Sequence, residues 1–245
     1  MEKSYLTKAV VIKRQDYREY DSLVVFYTLD HGKLSLITRG TKREKSKLAS
    51  HIEPLSVVDL MVIRGKGRDY VGSVVARESY LNLKDNLNNL HWAFSGLSWI
   101  LRLTEEGEKD DRLFNLLVNY LKALNDAPSS FTKEEGEILF AVFALRMLAI
   151  FGYEPQTKSC LSCKHNLQAK DNYFDLLSGG MLCENCFFSG KNYNREQYLK
   201  VSPEGVKFLR FIFDNNLFLG KKLKISQKIG KEISLLANHF LAFRL

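Results

Sequence analysis

All four cysteines of the 245-residue chain fall in two pairs, Cys160-x-x-Cys163 and Cys183-x-x-Cys186, with 19 residues between the pairs. A Cys-x-x-Cys folds into a tight knuckle that offers two thiolates to one metal, and two knuckles complete a tetrahedron. Lys158 and Lys164 suit thiolate stabilisation, and Gly179-Gly180 suits a tight turn. The expectation is one structural Zn(2+) per chain, because four thiolates leave no open position for water. Two disulfides or unrelated buried thiols are the alternatives; a reducing compartment argues against the first and the spacing against the second.

A second pattern imitates catalysis. His51-Ile52-Glu53, followed by a later Cys-x-x-Cys, resembles a zinc-deaminase signature. That signature wants proline before its first cysteine, where Ser159 stands, and here a second cysteine pair already completes the site. The P-loop, the nucleophile elbow and the His-Glu-x-x-His motif are all absent. No catalytic residue and no nucleotide cofactor are expected, so the chain reads as a binding protein rather than an enzyme.

The remaining chemistry is cationic. Arg39, Lys42, Arg43, Lys45 and Lys47 stand against one acid, Glu44, in a segment with few apolar residues. Such an exposed loop can neutralise successive phosphates, with Gly40 and the hydroxyls letting the backbone come close. Tyr17, Arg18 and Tyr20 lie in an earlier loop, where the rings can stack on bases. The plain alternative is a solvated loop with tyrosines at the edge of a core. Lys221, Lys222, Lys224, Lys228 and Lys231 form a further basic cluster near the C-terminus, with a solvated face as the alternative there.

The elements that must position these groups change character along the chain. Residues 5–13, 23–29, 33–38, 57–63 and 70–76 read as strands, with hairpin turns at Asp30-His31-Gly32 and residues 64–69. Five short strands in about 80 residues suit an OB-fold or an SH3-like barrel. From residue 84 the period becomes helical: Leu87, Leu90, Phe94, Leu97 and Leu101 form one stripe, read as core together with Trp92 and Trp99. Leu113, Leu116, Leu117, Tyr120, Leu121 and Leu124 form another stripe. Thr132 and Glu135 make a capping box before a helix that is apolar almost all round. Ser202-Pro203 opens a helix through Phe213, and Ile225, Ile229, Ile233, Leu236, Phe240 and Phe243 share a face of the last one.

Charge follows the same division. Basic residues outnumber acidic ones 15 to 10 over residues 1–80 and 13 to 7 over 160–245, whereas the middle is acidic, 8 to 11. The net charge of +8 raises the prior for nucleic acid or an acidic protein surface. No apolar run reaches the roughly 20 residues of a membrane span, and no apolar stretch follows the charged N-terminus, so the expected location is the cytoplasm.

Taken in order, these motifs resemble the RecO family of bacterial DNA repair proteins. The strand Ala9-Val-Val-Ile-Lys-Arg is followed by Tyr17-Arg-Glu-Tyr-Asp21. Next comes Gly32-Lys-Leu-Ser-Leu-Ile-Thr-Arg-Gly40, then Lys45-Ser-Lys-Leu48 and Glu53-Pro54, and finally Gly152-Tyr-Glu-Pro155 ahead of Cys160. The resemblance covers essentially the whole chain. It implies an α+β, multi-domain protein: an OB-fold barrel at 1–80, an α-helical domain at 81–245, and a four-cysteine zinc module inserted at 156–190. It also implies binding of single- and double-stranded DNA, with Lys33 joining the loop residues as a contact, and annealing of complementary strands near the nucleoid. Partners implied are RecR, the C-terminal tail of single-stranded DNA-binding protein, for which the C-terminal lysines are rim candidates, and, indirectly, RecA. The competing expectation is a zinc-ribbon, RNA-binding module of the transcription or translation machinery.

Overall fold

A computed structural model describes residues 4–168, 170–190, 195–214 and 225–244. The chain is α+β and divides into two compact units, Met1–Asp126 and Ala127–Leu245.

The first unit begins with five strands: β1 (Ser4–Asp16), β2 (Ser22–Thr28), β3 (Gly32–Thr38), β4 (Val57–Ile63) and β5 (Tyr70–Glu78). Their order, β1-β2-β3-β5-β4 with β4 returning to β1, makes a closed, OB-like barrel. The joint between β3 and β5 is parallel and narrow, registered at Ile37 opposite Tyr70. Alternation sends Ala9, Val11, Val24, Phe26, Leu36, Val58, Leu60 and Val62 inward to fill the barrel.

The opposite face of β1 and β2 is buried over its middle, although Leu6 on the same face is 73% exposed. Val10 pairs with Tyr27 on the outside of the barrel, yet both are 1% exposed or less. Three helices belong to the same unit, α1 (Leu81–Lys84), α2 (Leu87–Leu103) and α3 (Asp111–Asn125), and side-chain bonds tie them to the barrel. Tyr27 is hydrogen-bonded to the backbone of Asp110, the N-cap of α3, and burial pushes its hydroxyl up to about 12. Lys84 donates to Ser56 Oγ at 3.1 Å. Gly32 lies in the left-handed region at φ +63°, and a Cβ there would sit 2.1 Å from the carbonyl oxygen of Glu108. Only glycine lets the β2–β3 turn come this close to the segment between α2 and α3.

In α2 the buried face is Asn89, Ala93, Gly96, Leu97 and Ile100. The leucine stripe expected from the sequence is therefore rotated: Leu87 is 84% exposed and Phe94 47%. Small residues, Ala93 and Gly96, mark the contact, and Asn89 donates to the Leu124 carbonyl at 3.1 Å. The expected stripe of α3 is buried throughout.

In the second unit, α4 (Lys133–Ile150) starts on the expected capping box, with reciprocal bonds between Thr132 and Glu135 at 2.8 and 3.2 Å. It packs against α6 (Pro203–Asp214) and α7 (Gln227–Arg244). Ser202 caps α6, its hydroxyl accepting from Gly205 N–H. Between α4 and α6 the chain builds a small sheet not anticipated from the sequence. It comprises β6 (Asn172–Asp175), β7 (Gly180–Cys183) and β8 (Tyr198–Val201), in the order β7-β6-β8, with the short helix α5 (Glu184–Ser189). Among the described residues, no helix is long and apolar enough to cross a membrane.

Candidate functional site

The sheet exists to hold the cysteines. Asp175 turns the β6–β7 hairpin: its carboxylate accepts from the Leu177 and Ser178 amides and from Ser178 Oγ and Gln197 Nε2. The hairpin then presents Cys183 at the end of β7 and Cys186 in the first turn of α5. The first knuckle is fastened to β7 by Leu161 N–H donating to the Met181 carbonyl at 2.8 Å. It closes through Lys164, whose backbone is left-handed at φ 63° and whose N–H returns to the Cys160 carbonyl.

All four sulfurs lie within 4.8 Å of one another, and Cys163 Sγ is 3.9 Å from Cys183 Sγ. A tetrahedral thiolate site with metal–sulfur bonds of about 2.3 Å requires sulfur separations near 3.8 Å. The cysteines are free thiols, so the geometry fits a metal ion rather than disulfides. Burial pushes the Cys160 thiol up, but N–H groups of Cys183, Cys163 and Ser162 outweigh it and bring the thiol down to about 6. Cys183 goes the other way, to about 12, by burial and by the three neighbouring thiols. Four thiolates this close need a cation between them.

The imitation signature takes no part in this cluster. His51 Nδ1 accepts the Ala76 amide proton at 3.2 Å, and the Glu53 carboxylate pairs with Arg14, which also donates to the Ala49 carbonyl.

The two barrel loops singled out for nucleic acid are fastened to each other. Lys42 N–H donates to the Tyr20 carbonyl at 3.1 Å, and its ammonium reaches the Arg18 carbonyl and the Asp16 carboxylate, both at 3.1 Å. Asp21 accepts from Gly40 N–H at 2.9 Å, and the buried hydroxyls of Ser22 and Thr41 meet at 2.7 Å. The result is one rim on which cations sit over rings: Arg18 is 5.2 Å from the Tyr17 centroid and Arg43 is 5.5 Å from that of Tyr20. Arg39, Arg43, Lys45 and Lys47 are exposed, and among the described residues none of them forms an ion pair. An exposed cation held over a ring presents a phosphate partner and a stacking surface together.

Lys33 is not brought to this rim. It sits at the other end of β3, where its ammonium donates to the Leu101 carbonyl at 3.1 Å and to the Thr104 carbonyl at the C-terminus of α2. A cation there satisfies carbonyls that the helix leaves open. Replacing Lys33 by Met should destabilise the first unit by about 1.5–3 kcal/mol, the range for a hydrogen bond to a charged group. It should leave the salt dependence of DNA binding unchanged; titrations at three salt concentrations beside a thermal melt decide between this role and phosphate contact.

Of the C-terminal lysines, Lys221, Lys222 and Lys224 lie outside the described residues. Lys228 and Lys231 are exposed on α7, and Leu235, 51% exposed, continues their face at helical spacing. Lys231 also borders a cavity of about 230 Å³ between α4 and α7, lined by Glu134, Glu135, Glu137, Ile138 and Ser234. Three carboxylates make that cavity repel an acidic ligand.

What the sequence reading passed over is the cationic tip of the β4–β5 hairpin, Arg64, Lys66 and Arg68, seen there only as a turn. It also missed an aromatic stack on the cysteine module, where Tyr173 and Phe187 lie parallel at 3.6 Å. Tight glycine spacing was the available signal for the first; the second gave none, because its rings come from separate elements.

Two family models match the chain from end to end: "Recombination protein O N terminal" over residues 1–80 and "Recombination protein O C terminal" over residues 85–245. A protein of Dehalococcoides mccartyi (strain CBDB1) named DNA repair protein RecO is 29% identical over 94% of this chain and 87% of its own length. Proteins of the same name from Alkaliphilus metalliredigens and Rubrobacter xylanophilus are 26% and 30% identical, over 98% and 74% of this chain and 93% and 71% of their own lengths. With an OB-like barrel at the N-terminus, a four-cysteine cluster in the helical part and both family models matched, the chain belongs to the RecO family of DNA repair proteins.

Proposed function

We propose that this chain is a recombination mediator rather than an enzyme. It binds single- and double-stranded DNA, anneals complementary strands and, with RecR, helps load RecA onto strands coated by single-stranded DNA-binding protein. The observation carrying this reading is the fastened rim of residues 17–20 and 39–47, where Arg18 and Arg43 stand over tyrosine rings. The contacts are Tyr17, Arg18, Arg39, Lys42, Arg43, Lys45 and Lys47. Annealing needs only that two strands be held with their phosphates neutralised and their bases free, which such a surface supplies without nucleotide hydrolysis. Zinc is the metal that suits four thiolates, and its role is to hold the fold of the module.

The acidic tail of the coating protein, short and apolar at its end, needs cations beside an apolar surface. Lys228, Lys231 and Leu235 on α7 supply that combination, with Lys221, Lys222 and Lys224 as further rim candidates. The glutamate-lined cavity is not its receptor.

The test is annealing of complementary strands without ATP, on naked strands and on strands coated by single-stranded DNA-binding protein, with and without RecR. Naked strands should anneal with the wild-type chain alone. A Lys228→Glu/Lys231→Glu variant should slow annealing of the coated strands while leaving the naked reaction unchanged. Failure of the wild type to speed the naked reaction overturns the reading; equal slowing of both reactions by the variant overturns the tail placement.

A further inference from the structure

We infer that the cavity between α4 and α7 is a binding site for an alkylammonium group, a cation carried on an aliphatic stem, which reaches the buried hydroxyl of Ser234.

Ser234 supplies the observation that packing alone does not explain. It is 1% exposed within α7, and its Oγ has no hydrogen-bond partner. A helical serine or threonine has a ready acceptor in the carbonyl four residues back. Ser95, Thr104 and Ser189 each use it, donating to His91, Ile100 and Asn185 at 2.8, 2.7 and 2.6 Å. Ser234 does not, and its side chain lines the cavity of about 230 Å³ instead. A buried hydroxyl left unpaired is costly, and a ligand that donates to it removes that cost.

The lining has two characters. Ile138 and Ile225 give it apolar walls, and α7 comes so close to α4 that a Cβ on Gly230 would stand 2.4 Å from Ile138 Cδ1. The charged groups are three carboxylates against one ammonium, Lys231. Exposure falls from Glu134 to half-buried Glu137 to Ser234, which sets the acids nearer solvent and the hydroxyl deepest. Glu135 is committed to the capping box, and Glu134 in the first turn suits the positive end of the helix. Glu137 lies beyond that turn and, among the described residues, forms no ion pair. The Glu134 carboxyl is held below its usual range by its own backbone N–H and the Thr132 hydroxyl, then by Lys133 and Lys231, so it is ionised at neutral pH. A cleft with an excess of one sign concentrates counter-ions.

These features choose among cations. Among the described residues the carboxylates do not converge as the cysteine sulfurs do, so a bare metal ion finds no shell here. An ammonium has three donors and no acceptor, which suits Ser234 Oγ together with the Glu137 and Glu134 carboxylates. Its stem suits the isoleucines. An apolar cavity of about 150 Å³ takes benzene, so about 230 Å³ has room for a chain of roughly nine non-hydrogen atoms. A lysine side chain and a short diamine both lie within that length.

The experiment is calorimetric titration of the full chain, as purified, with putrescine and separately with N-acetyl-lysine methylamide. Saturable binding of one amine per chain is expected, and tetramethylammonium, which has the charge but no N–H, should not bind. Ser234→Ala should weaken the amine roughly tenfold or more, as for a lost hydrogen bond to a charged group. Glu137→Gln, nearly identical in shape, should weaken it by a similar factor and keeps the test open if Ser234→Ala folds poorly. Binding of putrescine alone makes the ligand a free polyamine; binding of the lysine probe makes it a partner protein's lysine, and either supports the site. If neither amine gives a saturable isotherm, the cavity holds water only and the proposal falls. It falls equally if tetramethylammonium matches the amines, or if both variants bind them as the wild type does, because the acids then merely attract counter-ions.

Discussion

Removing the metal, by a strong chelator or by Cys160→Ser, should cost the second unit the fold of its cysteine module. Apparent binding free energies for structural zinc are about 10–16 kcal/mol, and the module's own elements are short: three strands of four residues and one helix of six. Even if only about 4 kcal/mol of that is lost from the whole chain, the melting temperature should fall by roughly 10 °C. The Leu161 and Met181 amides, which donate to the Met181 and Gln156 carbonyls, should lose protection from hydrogen exchange first. Metal analysis of the purified protein should return one zinc per chain. DNA binding through the barrel rim should survive chelation, because no rim contact belongs to that module. A fully metal-free chain with an unchanged melt would remove the case for a structural metal.

Charge reversal at Lys42 and Arg43 should weaken single-stranded DNA binding for every sequence. Two lost contacts lower the salt slope by about 1.4, which is about 25-fold at 0.1 M salt, and the new negative charges add to that. The structure separates the two positions. Lys42 holds Arg18 and Asp16 as well as facing solvent, so Lys42→Met should also release the tyrosine-bearing loop. The Arg43 guanidinium lies over the Tyr20 ring and, among the described residues, forms no ion pair, so Arg43→Met should subtract a single contact. Titrations of both single variants should therefore rank Lys42→Met as the more damaging. An unchanged slope in the double variant would mean that the loop is merely solvated.

The barrel was legible because its strands obey a period of two and are separated by glycine turns. The thiol cluster was legible because metal geometry fixes the spacing of its ligands. The small sheet was not, since Asn172–Asp175 and Tyr198–Val201 are too short for a period to register and find their partners across many residues. Lys33 was placed among the DNA contacts by the family resemblance, and a sequence motif does not say which end of a strand a side chain serves. In α2 the stripe was chosen by size, whereas the buried face keeps Leu97 of that stripe and adds Asn89, Ala93, Gly96 and Ile100. Tyr17, Tyr20 and the loop of residues 39–47 were each visible, but that they form one surface depends on Lys42 and Asp21, which join segments some twenty residues apart.

The doubly buried β1–β2 ribbon bears on where this chain can be cut. Sequence families part between residues 80 and 85, yet Asp110, whose backbone bonds the buried Tyr27 hydroxyl, and Lys84, which bonds Ser56, lie beyond that point. A fragment ending at residue 80 would carry an uncovered apolar flank on an otherwise closed barrel, and would cling to itself or to chaperones. The barrel should therefore resist being lifted out or exchanged between proteins. Its smallest transferable form extends to Asp126, and grafting experiments or limited proteolysis should find their clean edge there.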